Sequence, residues 1–198
     1  MTTVLVIVDV QVDFCAGGSL AVPEAEAILP VVNGLMHEFR RVIVTQDWHP
    51  SGHVSFASSH PGRSPFSRIT LPYGEQILWP DHCIAGTGGA AFHPRLEVPP
   101  SAGIVRKGVH RNVDSYSAFF EADGTTPVGL DPLLRAANVR EIVLAGLATD
   151  FCVLHTALDA RRLGYDVTVI EAGCRGIDTN GSVAAAWERM DAAGVRRG

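Results

Sequence analysis

The chain has 198 residues, of which 46% are hydrophobic and 19% are charged. These proportions are typical of one globular domain and exclude a disordered chain. The formal net charge of −5, with basic residues scattered along the chain, argues against nucleic acid or an anionic membrane as a partner.

The first half of the chain begins with a strand and a helix and then becomes irregular. Val4–Val10 is an apolar run that predicts a buried strand. Glu24–Arg40 has helical periodicity, with a kink expected at Pro30. Arg41–Gln46 predicts a second strand. Asp47–Pro100 is rich in Gly, Pro, Ser and His and is predicted to be a long irregular region, of the kind that is usually functional.

The second half of the chain alternates regularly between strand and helix patterns. In chain order the prediction is strand Ile104–Lys107, helix Leu130–Ala137, strand Glu141–Ala145, helix Cys152–Leu163, strand Asp166–Glu171, helix Ser182–Ala193 and a short strand within Gly194–Arg197. Such alternation predicts an α/β fold, a doubly wound, mostly parallel sheet of about six strands with helices on both faces. No linker or repeat divides the chain, so residues 1–198 are predicted to form a single domain.

Three residues with reactive or charged side chains lie at the ends of separate predicted strands, where doubly wound sheets bind ligands. Cys152 lies where a strand runs into a helix, and the positive end of that helix favours a thiolate. Asp9 closes the first strand and Lys107 the third. A carboxylate can take the thiol proton and deliver it to a leaving group while a lysine balances the charge. The pattern therefore predicts a nucleophilic Cys/Asp/Lys set.

Each member of this set also has a purely structural interpretation. A lone cysteine is more often a small buried side chain than a nucleophile. Asp9 could cap a turn with Asp13, and a lysine that flanks a strand is usually a surface residue. His155, three residues after Cys152 on the same helical face, is an alternative base. We expect it instead to pack along the flank of the helix.

The irregular region contains a candidate metal site. Asp47 and His49 have the i, i+2 spacing that places two side chains on one side of an extended segment, and His82 is a third candidate ligand. One oxygen and two nitrogens leave coordination positions open, as in catalytic sites. Zinc suits these ligands best, with manganese or iron as alternatives. His53 is a candidate fourth ligand, whereas we expect solvated loop histidines at the remaining positions, His60, His93 and His110.

The glycine-rich segment Gly86–Ala91 matches the G-x-G-x-x-A pattern of dinucleotide sites. It follows no predicted strand and opens no predicted helix, so we do not interpret it as a nucleotide site. The four cysteines show no C-x-x-C spacing, and the chain has neither a signal-like start nor an apolar run near 20 residues. A reducing cytoplasm is the expected compartment.

Over nearly its whole length the chain resembles the nicotinamidases (pyrazinamidases) of the isochorismatase-like cysteine hydrolase family. The matching segments are Val8-Asp-Val-Gln-Val-Asp-Phe-Cys15, Gly17-Gly-Ser-Leu-Ala-Val22, Thr45-Gln-Asp-Trp-His-Pro50, His53-Val-Ser-Phe56, Trp79-Pro-Asp-His-Cys83, Arg106-Lys-Gly108, Asp114-Ser-Tyr-Ser-Ala-Phe119 and Gly146-Leu-Ala-Thr-Asp-Phe-Cys-Val153. Together, and in this order, these segments are highly specific.

The resemblance implies a role for each candidate residue. The implied catalytic residues are Asp9, Lys107 and Cys152, and the implied metal ligands are Asp47, His49 and His82. It also implies a cis peptide between Leu147 and Ala148, with the Ala148 and Cys152 N–H groups as the oxyanion hole. Phe14, Trp79 and Tyr116 resemble the aromatic wall around a pyridine ring. Phe151 departs from relatives that carry a polar residue just before the cysteine.

The implied reaction is hydrolysis of nicotinamide to nicotinate and ammonia through a cysteine thioester, in NAD salvage. The pyridine nitrogen is expected to bind the metal at an open position, which orients the carboxamide over Cys152. Two alternatives remain: a cysteine amidase for another small amide, such as an N-carbamoyl compound, or a non-catalytic metal-binding or redox-sensing protein. Isochorismatase activity is disfavoured, since cleavage of a vinyl ether needs no cysteine here. The sequence leaves open the oligomeric state, including a homo-oligomer.

Overall fold

A computed structural model describes residues 2–198 of the chain. Met1, which the single-domain prediction includes, lies outside the described residues. The strands are β1 (Thr2–Val8), β2 (Val42–Asp47), β3 (Arg68–Leu71), β4 (Gly74–Ile77), β5 (Gly103–Lys107), β6 (Val139–Leu147), β7 (Asp166–Arg175) and β8 (Arg196–Arg197). Six of them form one sheet in the order β5-β2-β1-β6-β7-β8, and every neighbouring pair is parallel. The predicted fold class is confirmed.

In the described part of the chain, four α-helices cover the sheet: α1 (Leu29–Glu38), α2 (Leu130–Ala136), α3 (Leu154–Arg162) and α4 (Ser182–Ala192). Side chains of β1 alternate between two cores, as the period of a strand requires. Val4 and Val6 pack in the core that includes α2, α3 and α4 residues, whereas Leu5 and Ile7 pack in the core that includes α1 residues. None of the helices among the described residues has the length and apolarity needed to cross a membrane.

Most predicted elements are present with shifted ends, and the larger differences lie in the first half of the chain. Pro30 does not kink a long helix, because α1 begins at Leu29 and the proline lies in its first turn, where no N–H is needed. A short 3₁₀ turn, Ala25–Ile28, precedes it. The irregular region contains the antiparallel hairpin β3–β4, which strand periodicity did not reveal because each strand has four residues and few of them are apolar.

The strand order brings the expected chemistry to one edge of the sheet. β1 lies between β2 and β6, and β5 lies beside β2. In the parallel ladders Asp47 is the partner of Lys107, and Val8 is the partner of Gly146. The carboxyl ends of four neighbouring strands therefore meet at the place where the chain changes direction across the sheet, which is where ligands bind in this class of fold.

Candidate active site

The structure brings Asp9, Lys107 and Cys152 together in a buried cluster. Asp9 directly follows β1, Lys107 is the last residue of β5, and Cys152 lies in the turn after β6. Asp9 and Lys107 are fully buried, so the interpretation of Lys107 as a surface lysine is wrong. Asp13 does not form a turn cap with Asp9, because its carboxylate accepts the Cys83 N–H at 2.7 Å instead.

Lys107 is the centre of this cluster. Its Nζ lies 2.8 Å from Asp9 Oδ2 and donates to Cys152 Sγ at 3.2 Å. It also donates to the Ser115 carbonyl at 3.2 Å and forms an ion pair with Asp47. The lysine thus joins the predicted catalytic carboxylate, the predicted nucleophile and a predicted metal ligand through one cation.

Burial and the neighbouring charges together shift the pKa values of the cluster. Burial raises the pKa of Asp9, while the neighbouring Lys107 opposes that shift. Burial also raises the pKa of the Cys152 thiol well above its ordinary value, again against the effect of Lys107. Burial would lower the pKa of Lys107, but Asp47 and Asp9 outweigh it and raise that pKa. The resting site therefore favours a protonated thiol beside a charged lysine, a difference from the thiolate that helix position alone predicts.

Cys152 enters the site on a π-helical turn rather than in the first turn of an α-helix. The turn spans Thr149–Val153, and α3 follows from Leu154. The peptide between Leu147 and Ala148 is cis, as the resemblance implies. Within residues 2–198, no hydrogen bond from the Ala148 N–H to another residue is seen, so this donor is available to an oxyanion beside Cys152.

Gly146 allows the strand before this turn to approach β1 closely. Its φ is +129°, and a Cβ at this position would lie 2.1 Å from the Val8 carbonyl oxygen. Only glycine fits such a position without moving the backbone.

His155 does not take the place of Asp9. Its ring packs against the Tyr116 ring, with centroids 5.4 Å apart. Burial, with Arg189 adding to it, lowers the pKa of His155 to about 4. The hydrogen bond to Cys152 Sγ comes from Lys107.

Asp47, His49 and His82 form a buried group whose ligand atoms lie within 4.8 Å of one another. His82 Nδ1 donates to the Pro80 carbonyl at 2.8 Å, so its Nε2 carries a lone pair, and that atom lies 3.9 Å from Asp47 Oδ2. Burial lowers the pKa of His82 to about 4, which keeps the ring neutral. His49 Nδ1 is buried without a hydrogen-bond partner among the described residues. A bare, buried ring nitrogen is costly unless a ligand satisfies it, so these residues fit a divalent metal ion.

His53 is buried but has no nitrogen available for a metal. Its Nε2 lies 3.0 Å from the His110 carbonyl and 3.2 Å from the Val113 carbonyl, so it must carry the proton. Its Nδ1 lies 2.7 Å from Ser55 Oγ, which donates to it. The ring packs edge-on against His49, with centroids 4.5 Å apart. In this arrangement the buried His53 packs against a candidate ligand with both nitrogens hydrogen-bonded, and it is not a solvated loop histidine.

The remaining loop histidines, His60, His93 and His110, do not join these three candidate ligands. His60 Nε2 donates to the Val54 carbonyl at 2.7 Å, and the largely exposed His110 pairs with Glu121. His93 belongs to a separate group with Cys15 and Glu26. Gly86–Ala91 contains turns rather than the opening of a helix, which agrees with our rejection of a nucleotide site.

An apolar pocket lies between Cys152 and the three candidate metal ligands, and all four residues line it. Phe14, Trp79 and Tyr116 line it, as the resemblance implies, and Trp79 Nε1 donates to Tyr116 Oη at 3.0 Å. Further lining residues are Leu20, Asp114, Ala148, Phe151 and Ile177. Phe151 packs edge-on against Trp79, with ring centroids 4.9 Å apart, and so extends the aromatic wall.

Several supporting residues were not identified from the sequence. Thr45 Oγ donates to Asp9 Oδ1 at 2.6 Å and accepts the Asp9 N–H at 3.1 Å. Gln11 Nε2 donates to the Asp47 carbonyl, and Gln11 Oε1 accepts the Asp47 N–H, both at 2.8 Å. Both residues lie inside segments that match the family, close in sequence to Asp9 and Asp47. That position in the sequence was the only indication of a supporting role. Their roles depend on contacts between residues 36 positions apart.

Comparison with known proteins gives a consistent result. A model of the isochorismatase domain family matches residues 3–196. The nicotinamidase of Acinetobacter baylyi is 50% identical over 193 residues, which cover 98% of this chain and 90% of that protein.

Solved structures agree with this similarity. A nicotinamidase and pyrazinamidase of Acinetobacter baumanii has a TM-score of 0.97 and 52% identity, covering 98% of this chain and 94% of that one. A pyrazinamidase of Pyrococcus horikoshii in complex with zinc has a TM-score of 0.80 and 31% identity, covering 99% of this chain and 98% of that one.

Proposed function

The chain belongs to the isochorismatase domain family, and from this premise we propose that it hydrolyses nicotinamide to nicotinate and ammonia. The observation that carries the proposal is the pocket itself. Cys152, which Lys107 contacts, and the candidate ligands Asp47, His49 and His82 line one apolar space, and this supports the proposal. A flat heteroaromatic amide matches such a space, since its ring suits the aromatic wall and its carboxamide suits the nucleophile.

In the proposed mechanism Asp9 acts as the general base and then as the general acid. Asp9 takes the thiol proton of Cys152, and the sulfur attacks the carboxamide carbon. The Ala148 and Cys152 N–H groups donate to the oxyanion that forms. Asp9 returns the proton to the nitrogen, so that ammonia leaves and a thioester remains.

Hydrolysis of the thioester reverses these roles. Asp9 removes a proton from a water molecule, whose oxygen attacks the thioester carbon. The carbon–sulfur bond breaks, nicotinate forms, and the cysteine sulfur recovers the proton from Asp9. Lys107 stays charged throughout and balances the negative charge that moves between Asp9 and Cys152.

The proposed resident cofactor is one divalent metal ion, with zinc favoured over manganese and iron. When bound by Asp47, His49 and His82, it would supply an open coordination position for the pyridine nitrogen of the substrate. Phe14, Trp79 and Tyr116 then hold the ring and exclude water. Because pyrazinamide presents a ring nitrogen in the same relation to its carboxamide, we propose that it is also a substrate.

The reaction is tested by incubating the purified, zinc-loaded protein with nicotinamide and measuring nicotinate and ammonia. Equal amounts of the two products are expected, together with an acyl-enzyme on Cys152 detected by mass spectrometry after acid quenching. Cys152→Ala is expected to release no ammonia. Normal turnover by that variant would exclude the covalent mechanism, and turnover of an N-carbamoyl amide but not of nicotinamide would favour the alternative amidase. Metal binding without turnover of any amide would favour a sensor.

Further parts of the proposal concern the protein as a whole. We propose a single domain over residues 1–198 and a place in NAD salvage. The proposed compartment is the cytoplasm, in keeping with four free cysteines, Cys15, Cys83, Cys152 and Cys174. The proposed partner is the small-molecule substrate, without nucleic acid or membrane, and sedimentation of the purified protein would decide whether a homo-oligomer forms.

A further inference from the structure

A buried carboxylate, Asp114, faces the Nε2 atom of the candidate metal ligand His49. Asp114 Oδ1 lies 3.4 Å from His49 Nε2 and accepts the Ser115 N–H at 2.8 Å. Asp114 Oδ2 accepts from Gln76 Nε2 at 2.8 Å. The Asp114 side chain is 98% buried, and hydrogen-bond donors surround its carboxylate. A buried carboxylate with this many partners suggests that it orients the groups that donate to it.

The orientation of the Gln76 amide is fixed by its neighbours. Its Nε2 donates to the Ile77 carbonyl at 2.7 Å as well as to Asp114, and its Oε1 accepts from Tyr73 Oη at 3.0 Å. The Gln76 side chain therefore presents a donor to Asp114, as the Ser115 N–H also does. Asp114 acts toward all its partners as an acceptor, so the His49 nitrogen that faces it must carry a proton.

The position of this proton decides which His49 nitrogen can bind a metal. In a neutral imidazole one nitrogen carries the proton and the other a lone pair. With the proton on Nε2, the lone pair is on Nδ1, the buried atom that has no partner among residues 2–198. We propose that Asp114, held by Gln76, is the positioning residue that fixes the tautomer and ring orientation of His49 for the metal.

This assignment also explains a second group of potential ligands, which consists of His49, His53 and Asp114. It does not form a second metal site, because both nitrogens of His53 are occupied by hydrogen bonds. It is instead the hydrogen-bonded support of the first site. Gln76 reaches it from β4, so the polar hairpin has a function that its exposed surface does not suggest.

The inference rests on the proposed metal site, and the experiment uses two measurements that do not depend on turnover. The first is the tautomer of His49 in metal-free protein, read from ¹⁵N–¹H correlations of the imidazoles and assigned with His49→Gln. The second is the zinc dissociation constant, from competition with a chelator. Asp114→Asn keeps the shape but removes the charge and one acceptor. The matched control is Glu121→Gln, another buried carboxylate, which pairs with His110 and touches none of the ligands.

We expect His49 of the wild-type protein to carry its proton on Nε2. In Asp114→Asn we expect a mixture of the two His49 tautomers instead of the Nε2-protonated form alone. Zinc affinity is expected to fall by roughly 10- to 100-fold. Glu121→Gln should leave both unchanged. An Nδ1 proton in the wild-type protein, or wild-type zinc affinity in Asp114→Asn, overturns the inference. If the tautomer and affinity change as expected but nicotinamide is not hydrolysed, the proposed function fails and this inference stands.

A second variant covers the case in which Asp114→Asn does not fold. Gln76→Leu removes the donor that holds Asp114 Oδ2 and leaves the carboxylate in place. We expect several-fold weaker zinc binding and a mixed His49 tautomer. If this variant folds and keeps both the zinc affinity and the His49 tautomer of the wild-type protein, Gln76 has no role in holding Asp114. If Asp114→Asn also fails to fold, the same result overturns the proposed action of Asp114 on His49.

Discussion

Lys107 Nζ lies 3.2 Å from Cys152 Sγ, and the same ammonium group contacts two carboxylates. Removing the cation would leave the carboxylate of Asp9 fully buried without its counterion. The pKa of Asp9, which burial already raises, would then rise further, and a protonated Asp9 could no longer serve as the base for the thiol. The lysine therefore sets the charge state of the cluster as well as contacting the sulfur.

Lys107→Met, which keeps much of the side-chain volume, is expected to lower kcat/KM for nicotinamide by at least about 100-fold. Alkylation of Cys152 by iodoacetamide should slow as well, because the thiolate loses its cation. Arg106→Met, on the exposed side of the same strand, is the control. Unchanged alkylation in Lys107→Met, with folding checked by circular dichroism, would contradict the role given to the lysine.

Thr45 offers a test of Asp9 through pH dependence. Burial raises the pKa of Asp9, and the hydrogen bond from Thr45 acts against that shift. Thr45→Val removes this bond, so the pKa of Asp9 should rise further. Because Asp9 must be ionised to accept the thiol proton, the acid limb of the kcat/KM profile should move to higher pH, by on the order of one unit.

The control for this shift is Thr156→Val, at a threonine that is equally buried but accepts the Ala118 N–H. Its acid limb should coincide with that of the wild-type protein. If the limb of Thr45→Val also coincides with it, the acid limb belongs to a group other than Asp9.

The sequence predicted those site residues whose position depends on the end of a strand. Asp9, Lys107 and Asp47 could be predicted because strand ends meet in a parallel sheet whatever the details of the loops. Asp114 and Gln76 could not, because their roles come from contacts between a hairpin and a loop that have no periodicity. The π-helical turn at Cys152 was also missed, since helical spacing does not distinguish it from a first α-helical turn. Burial of the thiol, which opposes the effect of the helix end, required the three-dimensional packing.

His82 and His53 should differ in their effect on metal content. His82 presents a bare Nε2 to Asp47, whereas both nitrogens of His53 are engaged. His82→Ala is expected to weaken zinc binding by at least about 100-fold, so that the purified protein loses zinc on dialysis. His53→Asn should retain about one zinc per chain. The measurement is atomic absorption after dialysis against a weak chelator, and loss of zinc from folded His53→Asn would make His53 a ligand.

Phe151 should contribute to substrate binding more than to chemistry. Its ring packs against Trp79 and Tyr116 in the wall of the pocket. Phe151→Ala is expected to raise KM for nicotinamide by roughly 10-fold with little change in kcat, since it removes about 0.5–1.5 kcal/mol of aromatic contact as well as apolar area. Phe120→Ala, outside the pocket, should not change KM. A selective fall in kcat would indicate that Phe151 orients Cys152 instead.

His155 should make the stability of the fold depend on pH. Burial lowers its pKa to about 4 in the folded protein, while in the unfolded chain the pKa is about 6.5. Between these values the unfolded chain binds a proton that the folded protein excludes, so the free energy of unfolding falls as the pH decreases from about 6.5 to about 4. His155→Phe keeps a ring against Tyr116 and removes this component.

The measurement is urea unfolding of metal-free wild-type protein and of His155→Phe at pH 7 and pH 5. From pH 7 to pH 5 the wild-type protein should lose on the order of 1–2 kcal/mol more stability than the variant. Acidic groups titrate in both proteins, and so does His82, so the difference between the two isolates His155. Equal losses would mean that the folded protein accommodates a charged His155, and that the ring at the helix flank is hydrated rather than packed.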